Sequence, residues 1–337
     1  MTNTSSAPTT QAIGQADGQP GGRSTALRGR WAASGVAAAA ALVGAALFNR
    51  AAAKQAKANT PPEGNFIEVD DVRLHYVDRG DGPVVVLLHG NGVSLDDFKA
   101  SGVLALAAKS HRVIAFDRPG FGYSDRPRSR VWTPLEQGGL IIQALQQLGV
   151  QRAVVVGHSW GTLVALAIAL EEPALVQGLV LLSGYYYGTA RPDVVPMSAP
   201  AIPFVGDILA HTISPLSGRL MSPGAIKASF HPAPVSENFK SFPLEMTFRP
   251  SQIRATAADT AMMVPGAIDL SRRYADLKMR VIAMAGEGDL IVHKDKHSER
   301  LVSELRNGEL RVVPHQGHLF HYAVPGEVLD AIDAVWV

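Results

Sequence analysis

Five short aliphatic runs decide what this chain can become: Val84–Leu88 (VVVLL), Val113–Phe116, Ala153–Val156, Leu179–Leu182 and Val281–Ala285. None carries a charge, and none alternates polar with apolar residues as a half-wet strand would. Runs this short and this uniform are expected of strands buried on both faces of a sheet. Leu310–Val313 reads similarly apart from Arg311, and Phe66–Val69 and Val72–Val77, joined by Asp70–Asp71, read as two strands ahead of the series. Helical stretches, including Thr133–Leu148 and Thr162–Leu170, separate the runs. The alternation predicts an α/β protein with a mostly parallel central sheet and helices on both faces. A hydrophobic fraction of 47% over 337 residues supplies the core this requires.

The alternation breaks between Tyr185 and Pro265. This segment holds 11 of the 22 prolines and no clear buried strand, and its apolar residues come in short pieces such as Ile202–Leu209 and Ile253–Val264. A long insertion of this kind is usually functional, so residues 185–265 are expected to form a helical cap over the C-terminal edge of the sheet. Residues 61–184 and 266–337 then form the core.

Residues 1–60 read as an N-terminal tail. Residues 1–30, rich in Ser, Thr, Gly and Gln, are expected to be disordered. The run Trp31–Phe48 is 18 residues without a charge, flanked by Arg28 and Arg30 on one side and Arg50, Lys54 and Lys57 on the other. Its length meets the lower limit for crossing a bilayer, although its many alanines supply little transfer energy. Membrane association through residues 31–48 is the first reading. A secreted or periplasmic protein, with a signal cleaved near Ala51–Ala53, and a cytoplasmic protein with a soluble Ala-rich helix are the alternatives. Asn59–Gly64 (NTPPEG) is a linker.

Lys plus Arg is 31 and Asp plus Glu is 30, so there is no basic footprint for nucleic acid. With no cysteine in the chain, disulfides, a thiolate nucleophile and cysteine-ligated metals are excluded.

The residues that carry chemistry begin with Gly157-His158-Ser159-Trp160-Gly161, which follows the apolar run AVVV and precedes TLVALAIAL. A serine on a sharp strand–turn–helix junction needs small neighbours at 157 and 161. The junction presents its hydroxyl at a helix N-terminus, where free N–H groups and the helix dipole favour developing negative charge. Such a hydroxyl needs a base, and the base needs an orienting acid. The run Val281–Ala285 ends in Gly286-Glu287-Gly288-Asp289, which offers two acids at a strand end. Asp289 is preferred because it lies deeper in the loop, and Glu287 is the rival. His318 follows the run Leu310–Val313 by a short loop and is the preferred base, with His315 and His321 as rivals. His293 and His297, in HKDKHSER, read as exposed, while His111 and His89 read as structural.

HGNG at 89–92, DRPGFGYSDRP at 117–127, GHSWG at 157–161, GEGD at 286–289 and GH at 317–318 occur in this order. From about Asn65 to the C-terminus the chain resembles the α/β-hydrolase superfamily, and within it capped serine esterases and cofactor-free haloperoxidases. Epoxide hydrolases and haloalkane dehalogenases look similar overall but carry aspartate where this chain has Ser159. The resemblance implies the α/β-hydrolase fold and the chain order Ser159, Asp289, His318 for a catalytic triad. It also implies an oxyanion hole from the backbone N–H groups of Asn91 and Trp160. Such a triad needs no metal and no organic cofactor. The reading is hydrolysis of an ester-like bond in a small, largely apolar substrate. Aminopeptidase, acyltransferase, C–C hydrolase and peroxidase chemistry on the same residues stay open, as does a non-catalytic binding protein.

Overall fold

A computed structural model describes residues 1–9 and 22–336, and the chain divides into two units, Met1–Gly44 and Ala45–Val337. The first unit contains the beginning of helix α1 (Gly22–Asn59). This helix is longer at both ends than the uncharged run Trp31–Phe48. Of the segment expected to be disordered, Gly22–Arg30 is helical and residues 10–21 lie outside the described residues. The flanks are rich in Ala, Arg and Lys, which are strong helix formers. Nothing breaks the helix before Pro61, as the linker reading anticipated.

The second unit is built on an eight-stranded sheet in the order β1-β2-β4-β3-β5-β6-β7-β8. β1 (Asn65–Val69) and β2 (Val72–Arg79) form an antiparallel hairpin, and β2 pairs antiparallel with β4 (Arg112–Phe116). The rest is parallel: β3 (Val84–Leu88), β4, β5 (Ala153–His158), β6 (Val176–Leu182), β7 (Arg280–Gly286) and β8 (Gly308–Val313). Alternate residues of one strand enter different cores. Val86 and Leu88 of β3 join the core beneath α4 (Pro134–Gln147) and α5 (Gly161–Glu171). Val85 and Leu87 join the core shared with α2 (Asp96–Ala100), α3 (Val103–Ala107) and α11 (Pro325–Trp336). That is why the strands read as continuous apolar runs: with a side-chain period of two, both faces must be apolar to bury both. α4 starts where the sequence signals a start, with Thr133 Oγ1 accepting from Glu136 N at 3.1 Å and Pro134 at the first helical position.

Between β6 and β7 lie α6 (Val194–Ser198), α7 (Val205–His211), α8 (Ile213–Phe230) and α9 (Pro250–Ser271), with short 3₁₀ turns between them. The boundary drawn at Pro265 falls inside α9, which continues to Ser271. Pro265 removes one N–H from the helix. The next residue packs so tightly against Pro134 that a Cβ at Gly266 would sit 2.7 Å from the Pro134 ring, and this tertiary packing holds the helix together. α10 (Arg300–Glu304) joins β7 to β8.

Candidate active site

The C-terminal ends of the parallel strands carry every residue singled out in the motifs. Ser159 is the first residue after β5. Its φ of 51° lies in the left-handed region, which costs a non-glycine residue about 1–3 kcal/mol. The turn is held by Ser159 N donating to Leu182 O at 2.8 Å, and by Thr162 N and Thr162 Oγ1 donating to Ser159 O. A Cβ at Gly157 would approach Gly161 O to 2.7 Å, and one at Gly161 would approach Leu88 O to 2.2 Å. No side chain larger than hydrogen fits at either position, so the local backbone enforces the strain on Ser159.

Asp289 follows β7 and His318 follows β8. His318 Nδ1 and Asp289 Oδ2 are 2.8 Å apart, and both side chains are nearly buried. Asp289 Oδ1 accepts from the backbone N–H groups of Ile291 and Val292 at 2.8 and 2.9 Å. Burial alone would raise this carboxyl, but the His318 ring and the two amides outweigh it and hold it below the usual carboxylate range. With Nδ1–H committed to the carboxylate, Nε2 of His318 is left with its lone pair for another partner.

Ser159 lies beside this pair. The ring of His158, its neighbour in sequence, stands 5.0 Å from the His318 ring, and His158 Nε2 lies 3.3 Å from the His318 carbonyl. Asp289 and His318 are thus directly bonded, whereas Ser159 Oγ forms no hydrogen bond among the described residues. Hydrogen bonds of a nucleophile to its base commonly tighten only when substrate is bound. The rivals stand elsewhere. Glu287 is largely exposed and accepts from His315 N, His315 is 91% exposed, and His321 is buried against Asp97 at 3.1 Å.

Asn91 and Trp160 flank the same rim. A Cβ at Gly90 would lie 3.2 Å from Ser159 Cβ, so the loop after β3 runs directly over the serine. Neither the Asn91 nor the Trp160 backbone N–H has a partner among the described residues. The Asn91 side-chain amide donates to Thr256 O and Thr260 Oγ1 of α9 at 3.2 and 3.0 Å, and Trp160 Nε1 donates to Asp259 O at 2.9 Å. His89 braces the loop as expected: its Nδ1 meets Gly90 O at 2.7 Å and its Nε2 accepts from Arg118 N at 2.9 Å. Burial and the Arg118 charge lower its pKa to about 4, so the ring is neutral.

Several buried groups behind the site gave no sequence signal of their own. Arg118 is fully buried and donates to the carbonyls of His89 and Gly90, to Gln137 and to Asp259 Oδ2 at 2.6 Å. Asp259 also meets Arg126 at 2.9 Å. Arg118 and Arg126 lie in the DRPGFGYSDRP segment, but their partner on α9 stood out in no motif. Asp97, His158 and His321 offer ligand atoms within 4.8 Å of one another, the spacing of a cation site. The Asp97 oxygens are already engaged by His321 Nε2 and by the Tyr322 hydroxyl.

His297 corrects an expectation. It is buried rather than exposed, accepts from Tyr186 N at 3.1 Å and stands 4.4 Å from the Tyr185 ring. Its helix begins as a π-turn over Asp295–Glu299, and the ring turns inward against the buried tyrosines 185–187. Burial and the Arg191 charge lower its pKa to about 4. His89 and His297 together predict an acid-sensitive fold. Both bind a proton in the unfolded chain near pH 6.5 and in the folded chain only near 4, so the unfolded state takes up more protons between those values. Stability is therefore full above pH 6.5 and falls as pH drops towards 4, by up to about 1.4 kcal/mol per pH unit per histidine. Urea midpoints at pH 7, 5.5 and 4 measure this, and equal midpoints would refute it.

Comparison with known proteins gives three results. A family model described as the alpha/beta hydrolase family matches residues 85–331. Epoxide hydrolase 3 of Siraitia grosvenorii is 34% identical over 41% of this chain and 41% of its own length. Haloalkane dehalogenase 2 of Mycobacterium tuberculosis is 31% identical over 38% of this chain and 44% of its own. The chain therefore spans less than half the length of these curated relatives. Among solved structures, an epoxide hydrolase (CorEH, without ligand) superposes with a TM-score of 0.66 at 22% identity, covering 80% of this chain and 96% of that one.

Proposed function

The chain belongs to the alpha/beta hydrolase family, and from that premise we propose that it is a serine hydrolase cleaving an ester-like bond in a small, largely apolar substrate. The observation that carries the reading is a serine on the strained turn after β5, beside a histidine whose Nδ1 is committed to a buried carboxylate. In this reading Ser159 Oγ attacks the substrate carbonyl while His318 Nε2 takes its proton. The backbone N–H groups of Asn91 and Trp160 bind the oxyanion, worth on the order of 3 kcal/mol per donor. Asp289 holds the imidazole in its tautomer and stabilises the cation. His318 then protonates the departing alcohol, which leaves an acyl-serine. A water, deprotonated by His318, attacks that ester, and collapse releases the acid and restores Ser159. Aspartate at the elbow would instead form an alkyl-ester intermediate, the chemistry of the epoxide hydrolase and dehalogenase resemblance. Serine at 159 favours acyl transfer.

The α6–α9 insertion serves as the cap over this site. α1 serves as a membrane anchor, through the run Trp31–Phe48.

A fluorophosphonate probe tests the nucleophile. It is expected to label the protein at Ser159, and labelling is expected to vanish in Ser159→Ala and to fall steeply in His318→Ala. Undiminished labelling in Ser159→Ala would place the reactive serine elsewhere. A panel of p-nitrophenyl esters of graded chain length then defines the acyl preference.

A further inference from the structure

The cap presents an apolar face to solvent. On α8 the exposed residues Ile213, Leu216 and Leu220 recur at helical spacing, with Met221 alongside at 70% exposure. On α7 the exposed face is Val205 and Ile208. Phe204, just before α7, is 85% exposed and has φ 63°, a strained conformation that holds a bare aromatic ring in water. Single exposed apolar residues are ordinary, but a contiguous set on two neighbouring helices marks an interaction surface.

The end of α1 lies against the same helices. Its body-facing stripe is Ala45, Ala46, Asn49, Ala52, Ala53 and Ala56, the 3–4 spacing of one helix face. Buried Asn49 donates to the carbonyls of His211 and Thr212, at the junction of α7 and α8, and Arg219 of α8 stands 5.8 Å from the Phe48 ring. Leu47 and Phe48, the end of the uncharged run, remain exposed. Basic residues outnumber acids around this face, where Asp207 of α7 is paired with Arg128 and Arg254. No acid occurs from residue 18 to residue 62, where Arg50, Lys54 and Lys57 follow the run, and none occurs from residue 208 to residue 236, where Arg219 and Lys227 lie. Of these, Arg219 is paired, with Glu245 at 2.9 Å.

We propose that the exposed face of α7 and α8, including Phe204, is a bilayer-docking surface. Its apolar side chains enter the headgroup–acyl boundary of an anionic membrane while the basic residues meet the headgroups. A membrane is the occupant rather than a second copy of this chain because the face is flanked by cations and is continuous with a helix of membrane-spanning length and composition. The inference extends the anchor reading. It makes the bilayer the cap's second support and the source of an apolar substrate. It does not depend on the reaction catalysed.

The absence of cysteine makes the test direct, because each introduced thiol is the only one. Nitroxide labels are placed in the full chain through Ile208→Cys and Leu220→Cys. Arg306→Cys, exposed just before β8 at the opposite end of the sheet from the cap, is the control. With vesicles of phosphatidylcholine and phosphatidylglycerol, collision of the labels at 208 and 220 with a water-soluble nickel chelate is expected to fall several-fold while collision with oxygen rises. The control is expected to be unchanged. Resistance of the vesicle-bound unmodified chain to extraction with alkaline carbonate reads the anchor separately, because surface docking is stripped and a spanning helix is not. Carbonate-resistant binding with unchanged nickel collision at 208 and 220 would overturn the cap proposal and leave the anchor. The fall with binding that carbonate strips would support the cap and remove the anchor. Absence of both would remove both. Spin–spin broadening at 208 or 220 without vesicles would assign the face to a second copy and overturn the proposal.

Discussion

Asp289→Asn is expected to lower kcat by about 10⁴-fold towards a p-nitrophenyl ester with the fold intact. Asparagine matches the shape of the native side chain, and its Oδ1 can still accept from the amides of Ile291 and Val292. What it lacks is the anion that faces His318 Nδ1 at 2.8 Å. With an amide there, the imidazole is free to place its proton on Nε2, where it cannot accept one from Ser159, and the cation formed during attack has no counter-charge. Glu287→Gln is the matched control. Its carboxylate accepts from His315 N at the surface, so kcat is expected to change little. Comparison of kcat for the two variants decides the assignment, and a large loss in Glu287→Gln with none in Asp289→Asn would reverse it.

Asp259→Leu is expected to cost about 3–5 kcal/mol of folding stability, measured by urea unfolding at neutral pH. The reason lies in the partner left behind. Arg118 is fully buried, its stacked neighbours are Phe121 and Trp160, and its counter-charge is Asp259 at 2.6 Å. Removing the carboxylate leaves a guanidinium with carbonyl acceptors but no anion. Arg118→Met in the same chain removes the fully buried charge, leaving the partly exposed Arg126 as the other lost partner, and is expected to recover much of the loss, because a buried ion pair and an apolar pair of similar volume differ little in stability. If the double variant is as unstable as the single one, the cost is one of packing and not of charge.

The sheet was legible in the sequence because strands buried on both faces leave no polar register to confuse them. β3 matched its aliphatic run residue for residue, while β6 begins three residues earlier than its run, at Val176, because Gln177 and Gly178 interrupt the apolar pattern. Ser159 was legible because its turn tolerates so few neighbours. Asp289 and Glu287 sit at one strand end, and in the sequence only depth in the loop separates them. Their difference is which way each side chain faces, and it shows only as the Asp289–His318 bond. The supports behind the site were illegible for another reason. Arg118 and Asp259 are separated by 141 residues, and Asp97 and His321 by 224, so no local pattern links them. The boundary of the insertion drawn at Pro265 falls inside α9, because packing against Pro134 carries the helix across that proline to Ser271.

α9 also changes what kind of object the proposed cap is. Asp259 reaches Arg118 and Trp160, and Thr256 and Thr260 hold Asn91, so this helix braces both sides of the proposed oxyanion hole. The insertion is therefore not a module that can be exchanged whole. A chimera that imports a foreign cap between β6 and β7 would replace the groups that position the core's own loop, and would lose turnover as well as change selectivity. The separable part ends before Pro250. Grafts confined to α6–α8 can vary what reaches the site, while α9, although it arrives with the cap in sequence, belongs with the sheet in any redesign.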